Sequence, residues 1–466
     1  MNTKPSEVKI PTKLFGTSGI RGTIDGFLTP QFARRAGVAY ATLLGNKGVV
    51  LVGRDVRSQS QLIQKELMSG LLAGGVEVMD CGVAPTPALL FALKKQLSTA
   101  AVSVTGSHNP AEMTGMLFFL GDSGELDQSG EDTFESIFRS ERGRILPEDE
   151  TERPRLLEIT EIYLDEIKKR LGSVGGYRVV VDPGNGAAFQ TLGQALERLG
   201  CEVHTINGTP NGRFPARSPY PQPSTLAELS AAVKESKADL GVGTDSDGDR
   251  AIFVAADGQV LWGDVTGALF AREELRKQGG GRVITTVNTS SLIDLICDEW
   301  GGKVTVTKVG PPAMAEALRE HADAIFAVEE SGKYIWPKIL LYGDAALATG
   351  QLLQIMKNER KSLEQLQSEL PKFHRLKGNV PCADELKSRS MEEAQEMWKE
   401  GGAMNVLTID GFKVTYPDLS WFLVRPSGTE PVLRCYGEGR SSEDAGRLLG
   451  IATELAEKSV TRAQQK

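Results

Sequence analysis

The sequence predicts an α/β fold with three related mixed α/β domains and a smaller C-terminal α+β domain. The chain has 466 residues, more than a single hydrophobic core usually serves. Three segments repeat one pattern of apolar strand, polar loop, amphipathic helix, glycine and second strand. After about Phe373 that pattern gives way to a charged helical run, several strands and a final helix.

The three repeats have the length of β-α-β units, roughly 30 residues each. They begin at Val49, Arg178 and Arg282, and their helices carry apolar residues at spacings of three and four. A crossover through a helix makes the two flanking strands parallel. We therefore expect three parallel strand pairs with helices packed on the sheets.

The domain boundaries follow from changes in this pattern. Residues 156–171 predict a helix that leads into the second domain, residues 391–400 a charged helix in the last domain, and residues 442–458 a final amphipathic helix. We place the domains at residues 1–155, 156–260, 261–372 and 373–466.

Composition limits the function classes. A net charge of −8 without a basic run argues against a nucleic-acid partner. No apolar run has the roughly 18 to 20 residues that span a membrane, and the polar start does not resemble a signal peptide. We expect a cytoplasmic protein with no membrane partner. Five scattered cysteines are expected to be small buried apolar groups, without a zinc or redox motif: Cys81, Cys201, Cys297, Cys382 and Cys435.

Ser107 stands in a turn, residues 105–110 (TGSHNP), after the apolar strand at residues 100–105. Ligands bind at the carboxyl edge of parallel sheets, so a hydroxyl here is placed to act on one. The alternative is a turn serine that hydrogen-bonds its own backbone. His108 is adjacent, but neighbouring side chains in an extended segment diverge, so we do not expect a hydrolytic Ser–His pair.

Asp245, Asp247 and Asp249 alternate directly after an apolar strand. Three carboxylates so close together repel one another unless a cation neutralises them. Oxygen ligands suit Mg²⁺, which commonly pairs with phosphate groups. A calcium EF-hand is excluded because Arg250 and Ala256 stand at its glycine and glutamate positions. A solvated acidic turn is the alternative.

Residues 425–431 (RPSGTEP), followed by Arg434, combine two guanidinium groups with two hydroxyls and a glycine. These groups suit the binding of phosphate, because arginine forms paired hydrogen bonds with it and glycine allows close approach to the backbone. A polar surface loop with a salt bridge is the alternative.

Two more loops have polar groups for a sugar phosphate. In residues 16–22 (GTSGIRG), Arg21 could reach a phosphate group, although this segment alone is weak evidence. In the EESGK segment, Glu329 and Ser331 could bond sugar hydroxyls while Lys333 meets an anion.

Together and in order, FGTSGIRG, TGSHNP, GTDSDGDR, EESGK and RPSGTEP resemble the motifs of the α-D-phosphohexomutase superfamily. The resemblance covers essentially the whole chain, and the opening motif is most similar to phosphoglucosamine and archaeal phosphosugar mutases. It implies four domains around a central cleft. It also implies an intramolecular phosphotransferase of the isomerase class that interconverts hexose or hexosamine 1-phosphates and 6-phosphates. We expect a monomer or a homodimer.

The resemblance implies that Ser107 is phosphorylated at rest, that a sugar 1,6-bisphosphate primes the enzyme and that Mg²⁺ is the cofactor. The implied metal ligands are the phosphorylated Ser107, Asp245, Asp247 and Asp249. The catalytic candidates are Ser107, Arg21, His108, Arg250 and Lys333. The substrate-binding candidates are Lys308, Gly310, Glu329, Ser331, Lys333, Arg425, Ser427, Gly428, Thr429 and Arg434.

Two positions depart from the family pattern. Leu117 stands where the family usually has a lysine that transfers protons, and His108, Lys308 and Lys333 are candidate replacements. Val432 stands where members often have a lysine in the last motif, which leaves phosphate binding to the arginines.

These departures keep other functions open. A phosphosugar-binding homologue with impaired mutase turnover is one alternative, and a phosphopentomutase is another. A metal-dependent phosphatase would need water admitted to the phosphoserine, and the sequence shows no dedicated base for it.

Overall fold

The computed structural model describes residues 10–147, 152–398, 402–428 and 430–465. Four sheets with their helices form the predicted architecture of three α/β domains and a C-terminal α+β domain. The chain divides into two compact units. The first reaches to Gly263 and includes Ser331–Leu366, and the second comprises Asp264–Glu330 and the chain from Gln367 onward.

The first domain contains β1 (Ile20–Thr23), α1 (Pro30–Leu43), β2 (Val49–Arg54), α2 (Ser58–Ala73), β3 (Glu77–Val83), α3 (Thr86–Ala92), β4 (Ala100–Val104), β5 (Met113–Leu120), α4 (Gln128–Ser140) and β6 (Arg155–Leu156). Its sheet has the order β1–β5–β4–β2–β3–β6. Strands β3 and β4 both pair in parallel with β2, which confirms the first β-α-β unit. The carboxyl ends of β2 and β4 therefore lie side by side.

The second domain contains α5 (Thr160–Leu171), β7 (Arg178–Asp182), α6 (Thr191–Arg198), β8 (Glu202–Thr205), α7 (Ala227–Ser236), β9 (Leu240–Thr244) and β10 (Ala251–Ala255). Its sheet has the order β10–β9–β7–β8, with β7 parallel to β8 and β9 and with β10 antiparallel to β9. The prediction of one helix over residues 156–171 was wrong at its start, because Arg155–Leu156 pairs with β3 and the helix begins at Thr160.

The third domain contains α8 (Gly263–Gln278), β11 (Gly281–Thr286), α9 (Leu292–Glu299), β12 (Gly302–Thr307), α10 (Pro311–Glu320) and β13 (Ala324–Glu329), followed by β14 (Lys333–Ile335), α11 (Ala345–Glu359) and α12 (Leu363–Ser368). Strand β11 pairs in parallel with β12 and β13, which confirms the third β-α-β unit. Strand β14 and helix α11 belong to the first compact unit.

The C-terminal domain contains β15 (His374–Pro381), α13 (Lys387–Met397), β16 (Asn405–Leu407), β17 (Phe412–Thr415), β18 (Trp421–Pro426), β19 (Val432–Gly439) and α14 (Ser442–Gln465). Its antiparallel sheet has the order β15–β19–β18–β17–β16. The predicted charged helix ends at Met397, and the last residues of that prediction lie outside the described residues.

Two predictions from composition can be compared with this fold. Within the described ranges, no helix combines the length and apolarity needed to cross a membrane. Cys201, Cys297, Cys382 and Cys435 are buried, as predicted. Cys81 is only half-buried, which corrects the expectation for that residue.

The N-terminus of α11 carries a buried carboxylate, Asp344, whose Oδ1 accepts hydrogen bonds from Tyr163 Oη and Leu347 N, both at 2.9 Å. Its other oxygen is buried and has no hydrogen-bond partner. Burial raises the pKa of Asp344 from 3.8 to about 6. Because the folded protein holds this proton more tightly than the unfolded chain, the carboxyl's contribution to stability is lost as pH rises from about 4 through 6.

Asp344→Asn is expected to remove that loss, so the free energy of unfolding of the variant should change less between pH 4 and 7 than that of the wild type. The gain at pH 7 should be at most about 3 kcal/mol, because each pKa unit corresponds to about 1.4 kcal/mol. Thermal unfolding across this pH range measures the effect, and Asp257→Asn, at an exposed turn, is the control. A variant with the wild-type pH dependence contradicts the assignment.

Candidate active site

Ser107 lies in the turn after β4, with a left-handed backbone conformation at φ +47°. It is 2% exposed. Its backbone N–H donates to Thr105 Oγ1 at 2.8 Å, and its Oγ donates to Asp245 Oδ2 at 2.9 Å. The structure therefore brings the serine hydroxyl of the first domain into direct contact with the acidic loop of the second.

The acidic loop connects β9 to β10, and its three aspartates converge. One carboxylate oxygen of each of Asp245, Asp247 and Asp249 lies within 4.8 Å of the others. All three side chains are buried. Gly248 permits the turn with φ +73°, and Thr86 Oγ1 donates to Asp247 Oδ2 at 2.9 Å.

The electrostatics of this cluster fit a divalent cation. Burial raises the pKa of Asp245 well above its usual value, and the charges of Asp249 and Asp247 add to the effect. Burial and Asp249 also raise the pKa of Asp247 to about 6. One oxygen each of Asp247 and Asp249 is buried without a hydrogen-bond partner. Converging carboxylates of this kind are the oxygen ligands that Mg²⁺ prefers.

Three predicted cationic side chains lie near this cluster. Arg250 Nε is 3.8 Å from oxygens of both Asp245 and Asp249. Lys333 is 1% exposed, and its Nζ donates to Asp249 Oδ2 at 2.6 Å. Burial opposes ionisation of Asp249, but Lys333 and Arg250 lower its pKa. Arg21, on β1, opposes the rise in the pKa of Asp247, and its Nη2 donates to Ser18 Oγ at 3.4 Å.

His108 corrects the expectation that its side chain diverges from that of Ser107. Its Nδ1 lies 3.4 Å from Ser107 Oγ, and its ring lies 5.3 Å from the ring of Tyr220. The expectation assumed an extended segment, whereas Ser107 has positive φ and the chain turns. At 3.4 Å the contact is long for a hydrogen bond between side chains.

Leu117 is fully buried on β5. Phe119, two residues along the same strand face, contacts the ring of Tyr342 with centroids 5.1 Å apart. Lys333 Nζ lies 3.8 Å from the centroid of that ring. Of the three candidates to replace a lysine at Leu117, His108 and Lys333 therefore lie beside the serine and the aspartates. Lys308 is exposed and belongs to the second unit.

Glu329 and Ser331 lie on either side of the division between the units. Glu329, at the end of β13 in the second unit, is buried, and its Oε1 accepts from Gly310 N at 3.1 Å. Ser331 is half-buried and begins the segment that returns to the first unit. The following Gly332 has φ +85°, and a Cβ there would lie 2.4 Å from the carbonyl oxygen of Ala251. This close backbone contact fixes where Lys333 enters β14.

In the second unit, Asp410 connects two predicted substrate-binding segments. Its Oδ2 accepts from Val309 N at 3.0 Å and from Arg425 Nη2 at 2.9 Å. Val309 stands between the candidates Lys308 and Gly310. The carboxylate of Asp410 thus holds the Arg425 guanidinium beside the loop that precedes α10.

The predicted phosphate-binding loop after β18 is contacted by a lysine at the start of α13 that the sequence interpretation did not name. Lys387 Nζ donates to the carbonyl oxygens of Ser427 and Glu430, each at 2.6 Å. Arg434 Nη2 donates to Glu430 Oε2 at 2.5 Å. Lys387 thus holds the backbone of this loop, while phosphate binding by its arginines stays a prediction. Gly428 is exposed, and Thr429 lies outside the described residues.

Asp55, Arg57 and Ser246 are buried polar residues at the site that were also missed. Ser246 lies between two aspartates of the acidic loop, and Asp55 and Arg57 follow the end of β2. A signal was present: β2 ends at the same sheet edge as β4, so the polar residues after it had reason to lie near Ser107.

Comparisons with known proteins agree with this fold. Four models of the phosphoglucomutase/phosphomannomutase family match the chain: alpha/beta/alpha domains I, II and III at residues 12–144, 160–258 and 262–373, and the C-terminal domain at residues 379–455. A phosphoglucomutase/phosphomannomutase of Thermococcus kodakarensis is 37% identical, over 96% of this chain and 99% of its own. A probable phosphoglucosamine mutase of Pyrococcus abyssi is 36% identical, over 97% and 99%.

A solved structure is also similar. The crystal structure of a phosphoglucomutase/phosphomannomutase family protein from Burkholderia thailandensis has a TM-score of 0.86 and 27% sequence identity. The match covers 97% of this chain and 98% of the other. The similarity therefore extends through all four domains.

Fold, site and comparisons define the class as phosphosugar mutases, which are isomerases that act by phosphoryl transfer. The chain belongs to the phosphoglucomutase/phosphomannomutase family. The alternative of a binding homologue with impaired turnover is not favoured. A phosphopentomutase of Thermococcus kodakarensis is also similar to this chain, with 34% identity over 97% of this chain and 100% of its own.

Proposed function

We propose that this protein interconverts the 1-phosphate and 6-phosphate of a hexose or hexosamine through a phosphoserine at Ser107. The observation that carries the proposal is the 2.9 Å contact between Ser107 Oγ and Asp245 inside a buried cluster of three carboxylates. A serine that only satisfied its own turn would not need that cluster beside it.

In the proposed reaction, the bond between phosphorus and Ser107 Oγ breaks as the phosphoryl group forms a bond to a sugar hydroxyl. The proton of that hydroxyl would pass to the candidate His108, whose Nδ1 lies 3.4 Å from Ser107 Oγ. The resulting bisphosphate reverses its orientation and returns its other phosphoryl group to Ser107. Arg250 and Arg21 would stabilise the negative charge of the transferring group. Mg²⁺, on which the family generally depends, would be held by the three aspartates and the phosphoserine and would supply further charge stabilisation.

The remaining candidates divide between sugar and phosphate. Glu329 and Ser331 would bind sugar hydroxyls, and Lys308 and Gly310 would bind the same substrate beside them. Arg425, Ser427, Gly428, Thr429 and Arg434 would bind the phosphate that does not react. Such binding uses energy far from the reacting atoms to place the reacting hydroxyl.

The proposal names a class of sugar because the first two relatives reported above differ in name while having nearly equal identity to this chain. A panel of glucose, mannose, glucosamine and pentose 1-phosphates, with Mg²⁺ and a trace of glucose 1,6-bisphosphate, tests it. Phosphorus NMR should show a 6-phosphate forming without release of inorganic phosphate. Steady phosphate release, or no isomer from any hexose or hexosamine phosphate, contradicts the proposal.

Arg425→Ala is expected to lower kcat/KM by about 10- to 100-fold, mainly through a higher KM. Loss of a charge-assisted pair with phosphate costs about 1.5–3 kcal/mol and affects bound substrate and transition state alike. Steady-state kinetics on the preferred sugar phosphate measure the change. Arg440→Ala, which removes an arginine that stacks on Phe373 in the same unit, is the control. An unchanged KM for Arg425→Ala would show that Arg425 does not bind the substrate's phosphate.

A further inference from the structure

A buried arginine, Arg57, connects the loops that carry Ser107 and the aspartates. Its side chain is fully buried. Its Nη2 donates to the carbonyl oxygens of Ser107 at 3.0 Å and Asn109 at 2.5 Å, and its Nη1 donates to Ser246 Oγ at 2.7 Å. Ser246 Oγ in turn donates to the same Ser107 carbonyl at 2.8 Å. Two donors from two different loops thus fix one carbonyl oxygen.

Asp55 holds the guanidinium group of Arg57 in place. Its carboxylate forms an ion pair with Arg57 Nη1 and accepts from Ser60 Oγ at 2.7 Å, Thr105 Oγ1 at 2.9 Å and Gly106 N at 3.1 Å. Burial alone would raise the pKa of Asp55, but Arg57 and the hydrogen bonds from Ser60 and Thr105 lower it. The carboxylate therefore stays ionised, and it holds both Arg57 and the turn before the serine.

The space around Arg57 leaves little room for another arrangement. The guanidinium carbon lies 4.6 Å from the centroid of the Phe214 ring. A Cβ at Gly106 would come within 2.7 Å of that carbon, and a Cβ at Gly212 within 2.6 Å of Arg57 Cα. These two glycines approach Arg57 closely and enclose its planar guanidinium group, whose paired donors a lysine cannot reproduce.

This arrangement acts on the serine through its backbone. A left-handed conformation is unfavourable for a residue with a Cβ and persists only where the surroundings hold it. At Ser107 the surroundings are Arg57 and Ser246, which hold its carbonyl, and Thr105, which accepts from its N–H. We propose that Arg57 is a positioning residue that directs Ser107 Oγ toward Asp245, an inference that rests on the proposed phosphoserine function.

The test compares Arg57→Lys with wild type in a single-turnover reaction. Each protein is first dephosphorylated and mixed with glucose 1,6-bisphosphate and Mg²⁺, and phosphoryl gain on Ser107 is followed by intact mass. A misplaced nucleophile is expected to slow this step by about 100-fold. The rate constant of phosphoryl gain reports how fast the folded molecules react. Partial unfolding would lower only the fraction of molecules that gain a phosphoryl group. A wild-type rate constant in the variant overturns the inference.

Ser246→Ala provides a second, smaller perturbation of the same contact. If Arg57 acts through the Ser107 carbonyl, the double variant should be slower than wild type by much less than the product of the two single effects. Multiplying effects would overturn the inference. Arg178→Lys is the matched control, because that arginine also binds a carboxylate and a backbone carbonyl. It stands at the start of β7, whereas the acidic loop follows the end of the parallel strand β9. Wild-type protein that gains no phosphoryl group on Ser107 would instead contradict the proposed function itself.

Discussion

Ser107→Ala is expected to lower kcat by about 10⁴-fold or more, because the variant has no oxygen to carry the phosphoryl group between substrate molecules. Its fold should be retained, since the side chain forms few contacts besides those with Asp245 and His108. Isomer formation, measured together with intact mass after incubation with a sugar bisphosphate, should show neither turnover nor phosphoryl gain.

Ser459→Ala is a suitable control for that experiment. Ser459 is also a buried serine, but it lies in α14 and donates to Ala456 O at 2.8 Å. This control should be phosphorylated and active like the wild type. Phosphoryl gain by Ser107→Ala, or isomerisation near the wild-type rate, would show that another residue carries the phosphoryl group.

Asp247→Asn is expected to have opposite effects on activity and on stability without metal. With Mg²⁺ present, kcat/KM should fall by about 100- to 1,000-fold and half-maximal activity should need more metal, because one anionic ligand is lost. In a chelator the variant should be more stable than wild type by about 1–2 kcal/mol, because it removes one of three buried, mutually repelling carboxylates. The amide oxygen can still accept from Thr86.

Thermal unfolding in chelator and in Mg²⁺ measures this reversal. Mg²⁺ should raise the unfolding temperature of the wild type more than that of Asp247→Asn. Asp257→Asn, at an exposed turn, should behave as wild type in both conditions. A variant less stable than wild type in chelator would mean that burial and Asp249 do not destabilise the ionised form of Asp247 as its raised pKa indicates.

The β-α-β units could be predicted because their information is local. Apolar spacing within about 30 residues defined the helices of all three repeats, and the crossover rule then made β2 and β3, β7 and β8, and β11 and β12 parallel. The antiparallel neighbours β5 and β10, and the short edge strand β6, depend on pairing that local periodicity does not specify. The wrong start of the helix predicted over residues 156–171 has this cause.

The site could be predicted where one sequence segment carries several functional groups. Ser107 and the three aspartates followed buried strands, so their placement at sheet edges was expected. The partners of individual side chains could not be predicted. Lys333 contacts Asp249, and His108 turns back toward Ser107, because of the backbone conformations at Gly332 and Ser107. Lys387 and Arg57 donate to backbone carbonyl oxygens, and such contacts leave no sequence motif.

The first compact unit is discontinuous in sequence, and this has a consequence for biosynthesis. Its Asp249 takes its lysine partner from β14, and Gly248 accepts at 3.2 Å from Ala345 N, at the start of α11. Both elements leave the ribosome only after the whole of Asp264–Glu330 has been made. Domains generally fold as they emerge. Here the acidic loop is synthesised before its lysine partner, so Asp249 lacks the ion pair with Lys333 until a later part of the nascent chain has emerged.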